Sequence, residues 1–254
     1  MNTEEKAKPK IAIAITSYGP IDKDIYHNHL SVLLSWKENY DLVVYHIADV
    51  QQFESLNRMT TLAIDDGCTH IMFLEHDNLY KKDMLKQLVD DDKDVVTGYY
   101  PFRNWPYLPI PMIKNKDNGL LYRLDFAMGD PNVPNLMEMD VGCFGCCLIK
   151  THVLKDLISK NLTFRSEFSK KTNCTLTADV VLFRDLTANG YKLFVDGHVR
   201  VGHLTQRLVV DPDNYELFRE MFRLVYPKAV DVDEQLSDED IKKKTSFLLG
   251  GCDD

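Results

Sequence analysis

Residues 71–77, with the sequence IMFLEHD, begin with four apolar residues that predict a buried β-strand and end in two carboxylates separated by one residue. Because side chains alternate along a strand, we expect Glu75 and Asp77 to point to the same side where the strand ends. Oxygen ligands at the carboxyl end of a strand in an α/β protein lie where such sheets bind ligands, and they can hold a hard divalent cation. The stretch therefore predicts a site as well as a strand.

Strand patterns alternate with helical patterns on both sides of this stretch. Strands are predicted near residues 10–16, 42–47, 71–74 and 94–100. Helices are predicted near residues 24–38, 55–66 and 82–91. Ser55 is expected to cap the second helix and Gly67 to end it. This alternation predicts a Rossmann-like, mostly parallel sheet with helices on both faces.

The pattern changes after residue 100. Residues 101–111 are rich in proline and aromatic residues, and residues 120–124 and 136–149 have strand patterns without long helices between them, so we expect a small antiparallel portion. Helical patterns return at 151–160 and 178–188, and a strand is predicted at 192–196. We expect one main domain over residues 1–207 and an acidic, partly helical extension over residues 208–254.

The composition is that of an ordinary globular protein. The 254 residues are 44% hydrophobic and 27% charged, with a formal net charge of −9, which argues against broad electrostatic binding to nucleic acid or anionic membrane. No apolar run reaches the ~18 residues of a membrane span, and residues 1–10 lack an apolar signal core. We therefore expect no membrane span and a cytoplasmic location. The six cysteines are too sparse for a disulfide framework, and Cys143, Cys146 and Cys147 are expected to be buried apolar residues.

The order and spacing of several motifs resemble the GT-A glycosyltransferases, particularly family-two-like members. The motifs are residues 11–19, 57–58 (NR), 73–77 (FLEHD), 94–98 (DVVTG), 140–145 (DVGCFG), 178–179 (AD) and 190–203. The resemblance covers roughly residues 10–205 and omits the acidic tail. It implies an α/β, GT-A (Rossmann-like) fold with a mixed, mostly parallel central sheet flanked by helices, a small antiparallel portion and a helical C-terminal extension. It also implies metal-dependent transfer of a sugar from a nucleoside-diphosphate-sugar donor to an acceptor hydroxyl.

The resemblance further implies a metal site. In that family an Asp-x-Asp motif binds the metal that holds the donor diphosphate, and residues 75–77 occupy its place, with glutamate as the first residue. Asp77, Glu75 and His203 are the expected ligands of Mn²⁺ or Mg²⁺, and an imidazole favours Mn²⁺. From the residues alone, a lone histidine after a strand is more often a satisfied structural residue than a metal ligand. His76 is expected to face the opposite side of the strand and to support the site.

Catalytic and donor-binding roles follow from the same resemblance. Asp179 matches the general base that acts on the acceptor hydroxyl, although it is also suited to stabilising a helix N-terminus, and Ala178 stands where the family carries a glutamate. Asp140 matches a position near the donor sugar and the acceptor, and Gly142 and Gly145 permit close backbone approach. The expected donor-binding residues are Thr16, Ser17, Tyr18, Asp49, Asn57, Arg58, Glu75 and His76.

Several alternatives stay open at this level. An aspartate base implies inversion, although retention is compatible with the same motifs, and the acceptor is a glycan, a protein, a small molecule or a modified nucleic-acid base. The aromatic residues fit either a sugar-stacking platform or core packing, and they are Tyr99, Tyr100, Phe102, Trp105 and Tyr107. A nucleotidyltransferase would need a glycine-rich basic loop, unlike SYGP at residues 17–20. A catalytically silent nucleotide-sugar-binding module is favoured by Glu75 and Ala178.

Overall fold

The computed structural model describes residues 8–17, 19–104, 107–114, 121–123, 134–170, 173–205, 208–210 and 216. Tyr18, Trp105 and most of the predicted C-terminal extension lie outside the described residues. Within the described ranges, no helix is both long enough and apolar enough to cross a membrane.

The described residues form five helices and fourteen strands. The helices are α1 (Lys23–Lys37), α2 (Gln52–Asp65), α3 (Met84–Asp90), α4 (Thr151–Ser159) and α5 (Ala178–Ala188). The first seven strands are β1 (Lys10–Ser17), β2 (Asp41–Ala48), β3 (His70–Glu75), β4 (Asn78–Leu79), β5 (Val95–Tyr99), β6 (Met112–Lys114) and β7 (Leu121–Arg123). The others are β8 (Leu136–Met139), β9 (Cys146–Lys150), β10 (Glu167–Ser169), β11 (Cys174–Leu176), β12 (Leu193–Arg200), β13 (Gly202–Thr205) and β14 (Leu208–Val210).

Seven strands make the central sheet, in the order β2-β1-β3-β9-β5-β12-β8. Strand β1 pairs in parallel with β2 and β3, and β5 pairs in parallel with β12. Strand β9 runs antiparallel between β3 and β5, and β8 runs antiparallel to β12. The mostly parallel sheet is confirmed, and its antiparallel strands come from the middle of the chain, as the change of pattern after residue 100 predicted.

Alternate residues of β1 enter two hydrophobic cores on opposite faces of the sheet. Ala12 and Ala14 pack in one core with residues of α2, α4 and α5. Ile11 and Ile13 pack in the other core with residues of α1 and α3. Complete burial of a side chain as large as isoleucine contributes roughly 1.5–3 kcal/mol, so the alternation orients the whole strand. Helices therefore cover both faces, as predicted.

The carboxyl ends of the first three strands lie side by side. The register pairs Ser17 with Ala48 and Thr16 with Glu75, so β1, β2 and β3 end at one edge of the sheet. A small sheet in the order β14-β13-β4 adjoins this edge, and its antiparallel register pairs His203 with Asn78. The chain that leaves β12 thus returns to the end of β3.

Two local predictions are wrong. Helix α2 begins at Gln52, with Gln51 at the N-cap, and Ser55 lies inside the helix, where its hydroxyl donates to the Gln52 carbonyl oxygen at 2.8 Å. A serine inside a helix satisfies its hydroxyl in this way instead of capping. Residues 136–149 are not one strand, because a loop separates β8 from β9. The prediction that Gly67 ends α2 is confirmed by its left-handed φ of 71°.

The cysteines near β9 behave as apolar residues, as expected. Cys143, Cys146 and Cys147 are completely buried. Burial raises the pKa of each of these thiols above its usual value, so they stay protonated and unreactive at neutral pH.

The carboxyl groups of Asp91 and Asp196 lie near each other, where the end of α3 packs against β12. Asp196 is 4% exposed, and its Oδ1 accepts a hydrogen bond from the His198 backbone N–H at 2.7 Å. Burial, helped by the negative charge of Asp196, raises the pKa of Asp91 to about 7 from its ordinary value of 3.8. At neutral pH the Asp91 carboxyl group is therefore partly protonated in the folded protein, whereas it is ionised in the unfolded chain.

We expect Asp91→Asn to stabilise the protein at pH 8 and not at pH 4. A carboxyl group whose pKa is raised in the folded state contributes stability that is lost as the pH rises from about 4 to about 7, and an asparagine amide stays uncharged over this range. The gain is of the order of 1 kcal/mol after allowance for partial exposure. Urea unfolding across this pH range measures it, with the exposed substitution Asp65→Asn as control. An equal effect at both pH values would contradict the raised pKa of Asp91.

Candidate functional site

The two carboxylates of the opening stretch belong to different parts of the site. Strand β3 ends at Glu75, a turn at residues 76–77 follows, and β4 begins at Asn78. The expected alternation along a strand therefore stops before Asp77, which lies in the turn, and the negative charge of Asp77 still acts on the Glu75 carboxyl group. The same turn removes the reason for placing His76 on the opposite face.

Asp77 contacts His203. The two side chains approach to 3.4 Å between Asp77 Oδ2 and His203 Nε2, and the Leu204 backbone N–H donates to the Asp77 carbonyl oxygen at 2.8 Å. Burial alone would raise the pKa of Asp77, but the hydrogen bond and charge of His203, with smaller contributions from His76 and Arg103, lower it below its usual value. Asp77 is therefore ionised at neutral pH.

The orientation of the His203 ring is fixed from its other side. Nδ1 lies 2.8 Å from the carbonyl oxygen of Pro101, which can only accept, so Nδ1 carries a proton and Nε2 is the nitrogen that gains or loses one. Burial lowers the pKa of His203, but the hydrogen bond and charge of Asp77 raise it by more. The Tyr100 ring packs edge-on against the imidazole at 5.3 Å between centroids.

Glu75 is held inside the protein by Gly145 and Tyr100. The Gly145 N–H donates to the Tyr100 hydroxyl at 2.7 Å, and that hydroxyl lies 3.4 Å from Glu75 Oε2. Gln52 Nε2 lies 3.5 Å from the other carboxylate oxygen. Burial, with the charge of Asp77 adding to it, raises the pKa of Glu75 to about 7. At neutral pH the Glu75 carboxyl group is therefore partly protonated and partly ionised.

A cavity of about 530 Å³ opens beside these residues. Its lining residues are Asp49, Val50, Gln51, Gln52, Phe53, Ser166, Thr177 and Ala178. Gln52 connects the cavity to Glu75, and Asp49, just beyond β2, adopts a left-handed φ of 60° that aspartate tolerates better than most residues. None of the eight lining residues is basic, while amides and hydroxyls are plentiful. The cavity suits a neutral, hydroxyl-bearing or amide-bearing group.

Asp179 lies in the first turn of α5, next to the cavity wall. Its negative charge makes a minor contribution to the raised pKa of Glu75. Asp179 Oδ1 is buried without a hydrogen-bond partner among the described residues. The helix N-terminus favours a negative charge there, as expected, and a buried polar oxygen without a partner is unusual in a folded protein.

Other predicted site residues have structural partners instead. Asn57 forms two hydrogen bonds with the Phe164 backbone, at 2.8 and 3.0 Å. Arg58 pairs with Glu54 on the exposed side of α2, in the second turn of the helix rather than at its start. Asp140 Oδ2 accepts the Lys114 backbone N–H at 2.6 Å. The structure does not bring these three residues to the contact between Asp77 and His203.

Thr16 and Ser17 lie nearer the site, at the end of β1. Thr16 is the register partner of Glu75, and both Thr16 and Ser17 are 3% exposed. The Ser17 hydroxyl lies 2.8 Å from His46 Nε2. The side chains of Thr16 and Ser17 are therefore buried at the edge of the sheet. A ligand could contact them only if the residues that cover them moved.

Asp77 and His203 present two adjacent ligand atoms of the kinds that bind divalent cations. Asp77 Oδ2 and His203 Nε2 are 3.4 Å apart, a separation that suits two neighbouring ligands of one ion, and the Pro101 contact orients the histidine as in known metal sites. Among the described residues, no group of three or more histidine, cysteine, aspartate or glutamate side chains could hold a metal ion. Glu75 thus does not complete the expected three-ligand cluster. Magnesium-type sites commonly use one or two carboxylates together with substrate phosphates.

Several residues of the site carried no sequence signal that assigned them to it. Gln52 lies in α2 and Arg103 lies in the proline-rich loop, and neither residue belongs to a sequence motif. Tyr99 and Tyr100 are 1% and 2% exposed, so this part of the aromatic cluster is core packing. Phe102 is exposed, with Arg123 stacked over its ring at 4.4 Å. The glycine at 145 was the usable signal, since it marked a close backbone approach.

Comparisons with known proteins do not assign a function to this chain. No family model matches the chain, and no curated protein matches it. Among solved structures, the chain is similar to A197 from STIV, with a TM-score of 0.49 and 12% sequence identity over 81% of this chain and 91% of that chain. A similarity of this strength carries no inference about function.

We expect Gly145→Ala to destabilise the protein by about 1–3 kcal/mol, because an added methyl would overpack the site. The methyl carbon would lie 2.5 Å from Asn78 Nδ2 and 2.6 Å from the Tyr100 hydroxyl, and it would also overlap the Glu75 carboxylate. Urea unfolding of Gly145→Ala, Tyr100→Phe and the double variant measures the effect. The double variant should recover at least about 0.5 kcal/mol relative to the sum of the single losses. Additive losses would show that the methyl is accommodated elsewhere.

Proposed function

We propose that this protein is a metal-dependent glycosyltransferase that moves a sugar from a nucleoside-diphosphate-sugar donor to an acceptor hydroxyl with inversion. The observation that carries the proposal is the contact between Asp77 and the oriented His203, at the carboxyl edge of a mostly parallel sheet and beside a cavity. Ligands of such sheets bind at this edge. The GT-A form of the fold is part of the same proposal.

Asp77 and His203 would hold Mn²⁺ or Mg²⁺ together with the donor diphosphate. The bound cation would neutralise the charge that builds on the leaving diphosphate. Asp77 supplies a carboxylate that stays ionised at neutral pH, and Pro101 orients the imidazole toward it. Glu75 would support the site from inside, through its contacts with Tyr100 and Gln52.

The cavity would take the nucleoside part of the donor. Amide and hydroxyl groups of Gln51, Gln52 and Thr177 match the hydrogen-bonding groups of a base and a ribose, and Phe53 and Val50 offer apolar contacts. Because the lining carries no basic residue, the phosphates would lie outside it, toward Asp77. This division gives the donor a single orientation along the sheet edge.

Asp179 would act as the general base on the acceptor hydroxyl. It lies in the first turn of α5, next to the cavity wall, and its buried Oδ1 has no hydrogen-bond partner among the described residues. A base must lie within hydrogen-bond reach of the group that it deprotonates. The acceptor hydroxyl would therefore be bound between α5 and the donor sugar.

A catalytically silent nucleotide-sugar-binding module is the second candidate. The observation that favours it is the inward position of Glu75, whose carboxylate contacts Tyr100 and Gln52. Such a module would bind the donor at the same cavity without turnover. Donor binding that is unaffected by substitution of Asp179, with no hydrolysis or transfer, would support this candidate against the enzyme.

A panel of nucleotide sugars, assayed with Mn²⁺ and with a chelator, tests the proposal. We expect Mn²⁺-dependent hydrolysis or transfer with at least one donor. Asp77→Ala should weaken metal-dependent donor binding by at least about tenfold, because it removes a ligand, while the exposed substitution Asp65→Ala should leave it unchanged. No metal-dependent nucleotide binding with any donor would contradict the proposal.

We expect Asp179→Asn to retain donor affinity and to lose about 10²-fold or more of the transfer rate. Asparagine keeps the size of the side chain but cannot accept the proton of the acceptor hydroxyl. Titration calorimetry measures donor binding, and initial rates at saturating donor measure transfer. An equal loss of donor binding and transfer would assign Asp179 to the fold instead of the chemistry.

A further inference from the structure

Arg103 also contacts Asp77, and no motif predicted it. Its Nη1 lies 3.2 Å from Asp77 Oδ2, the same oxygen that faces His203 Nε2. The two ends of this ion pair differ in exposure, since the Arg103 side chain is 59% exposed and the Asp77 side chain only 15% exposed. An exposed cation on the solvent side therefore covers a largely buried carboxylate.

The backbone that carries Arg103 is anchored to the site. The Pro101 carbonyl oxygen accepts from His203, the Phe102 N–H donates to the Leu108 carbonyl oxygen at 2.9 Å, and the Thr205 hydroxyl donates to the Arg103 carbonyl oxygen. Three successive residues are thus held in place. The guanidinium can change partners by rotation of its own side chain while its base stays beside Asp77.

The charges at the site determine which partners the Arg103 guanidinium can bind. Because the Arg103 end of the ion pair is mostly exposed and free to be hydrated by water, a divalent cation at Asp77 can displace the guanidinium. A displaced guanidinium remains at the mouth of the site, where it presents a planar, bidentate donor that matches a phosphate group. The eight residues that line the cavity supply no such cation.

We infer that Arg103 is an exchangeable counter-ion of Asp77, which pairs with the carboxylate when no cation is bound and turns to the donor diphosphate when a divalent cation takes its place. The inference rests on the proposed function, because it assumes a cation at Asp77 and a diphosphate beside it. It adds a competitor for the cation and a specific partner for the diphosphate. Arg103 is by this account a binding and positioning residue.

The test uses two probes, Mn²⁺ alone and inorganic pyrophosphate with saturating Mn²⁺, on the full chain. We expect Arg103→Gln to bind Mn²⁺ alone about 2–5-fold more tightly, because the competing charge is gone. It should bind pyrophosphate with Mn²⁺ about tenfold or more weakly, because a charge-assisted bidentate contact is lost. A merely structural role would not move the two affinities in opposite directions.

Two further variants sharpen the result. Arg103→Lys keeps the charge without the planar fork, so we expect Mn²⁺ affinity close to that of the unmodified protein and pyrophosphate affinity that falls a few-fold. Lys86→Ala removes an exposed cation of α3 that pairs with Asp90, and neither affinity should change. Circular dichroism confirms that each variant is folded. Since the Arg103 side chain is mostly exposed, its substitution leaves the core intact.

The outcomes separate this inference from the proposed function. Affinities of Arg103→Gln that move in the same direction, or that equal those of Lys86→Ala, overturn the role of Arg103 alone, provided that the unmodified protein binds Mn²⁺. A complete absence of Mn²⁺ binding in the unmodified protein and in every variant overturns the metal-dependent function, and this inference with it. Opposite shifts in Arg103→Gln support the exchange.

Discussion

The pairing of β4 with β13 is the constraint on which the site depends. It sets His203 beside Asn78 and lets the Leu204 N–H donate to the Asp77 carbonyl oxygen. Backbone hydrogen bonds therefore fix the turn at residues 76–77 independently of its side-chain contacts. Asp77 and His203, 126 positions apart in the chain, meet because their strands pair. Without this pairing neither residue would have a partner for the chemistry proposed here.

Close packing around Gly145 also supports the site. Gly145, at the loop that leads into β9, brings its backbone against Glu75, Asn78 and Tyr100, and only a residue without a side chain fits there. The hydroxyl of Tyr80 donates to the Gly145 carbonyl oxygen at 2.6 Å and accepts from the Glu75 N–H at 3.0 Å. The inner half of the site is thus closely packed and hydrogen-bonded, whereas Arg103 on its outer side is exposed. Binding sites commonly combine such a fixed floor with an adaptable rim.

Most of the secondary structure was predictable from the sequence. Helix α5 and its end before Gly190, whose φ is 83°, match the predicted segment, and β1 and β3 agree with prediction to within one or two residues. Such signals are local, since periodicity and glycine conformation act over a few residues. The predictions failed where a local pattern had two solutions. The turn after Glu75 interrupted a strand pattern, and the loop before β9 divided another.

The sequence by itself determined the layered α/β architecture, the apolar strands and the position of Glu75 and Asp77 at a strand end, because hydrophobic periodicity and turn chemistry are written in neighbouring residues. Only the tertiary structure decided which side chains share the site. It turned Glu75 inward, joined Asp77 to His203 and Arg103, and gave Asn57 and Arg58 partners elsewhere. The physical reason is that these contacts depend on strand pairing and loop anchoring between distant segments, which no local pattern encodes.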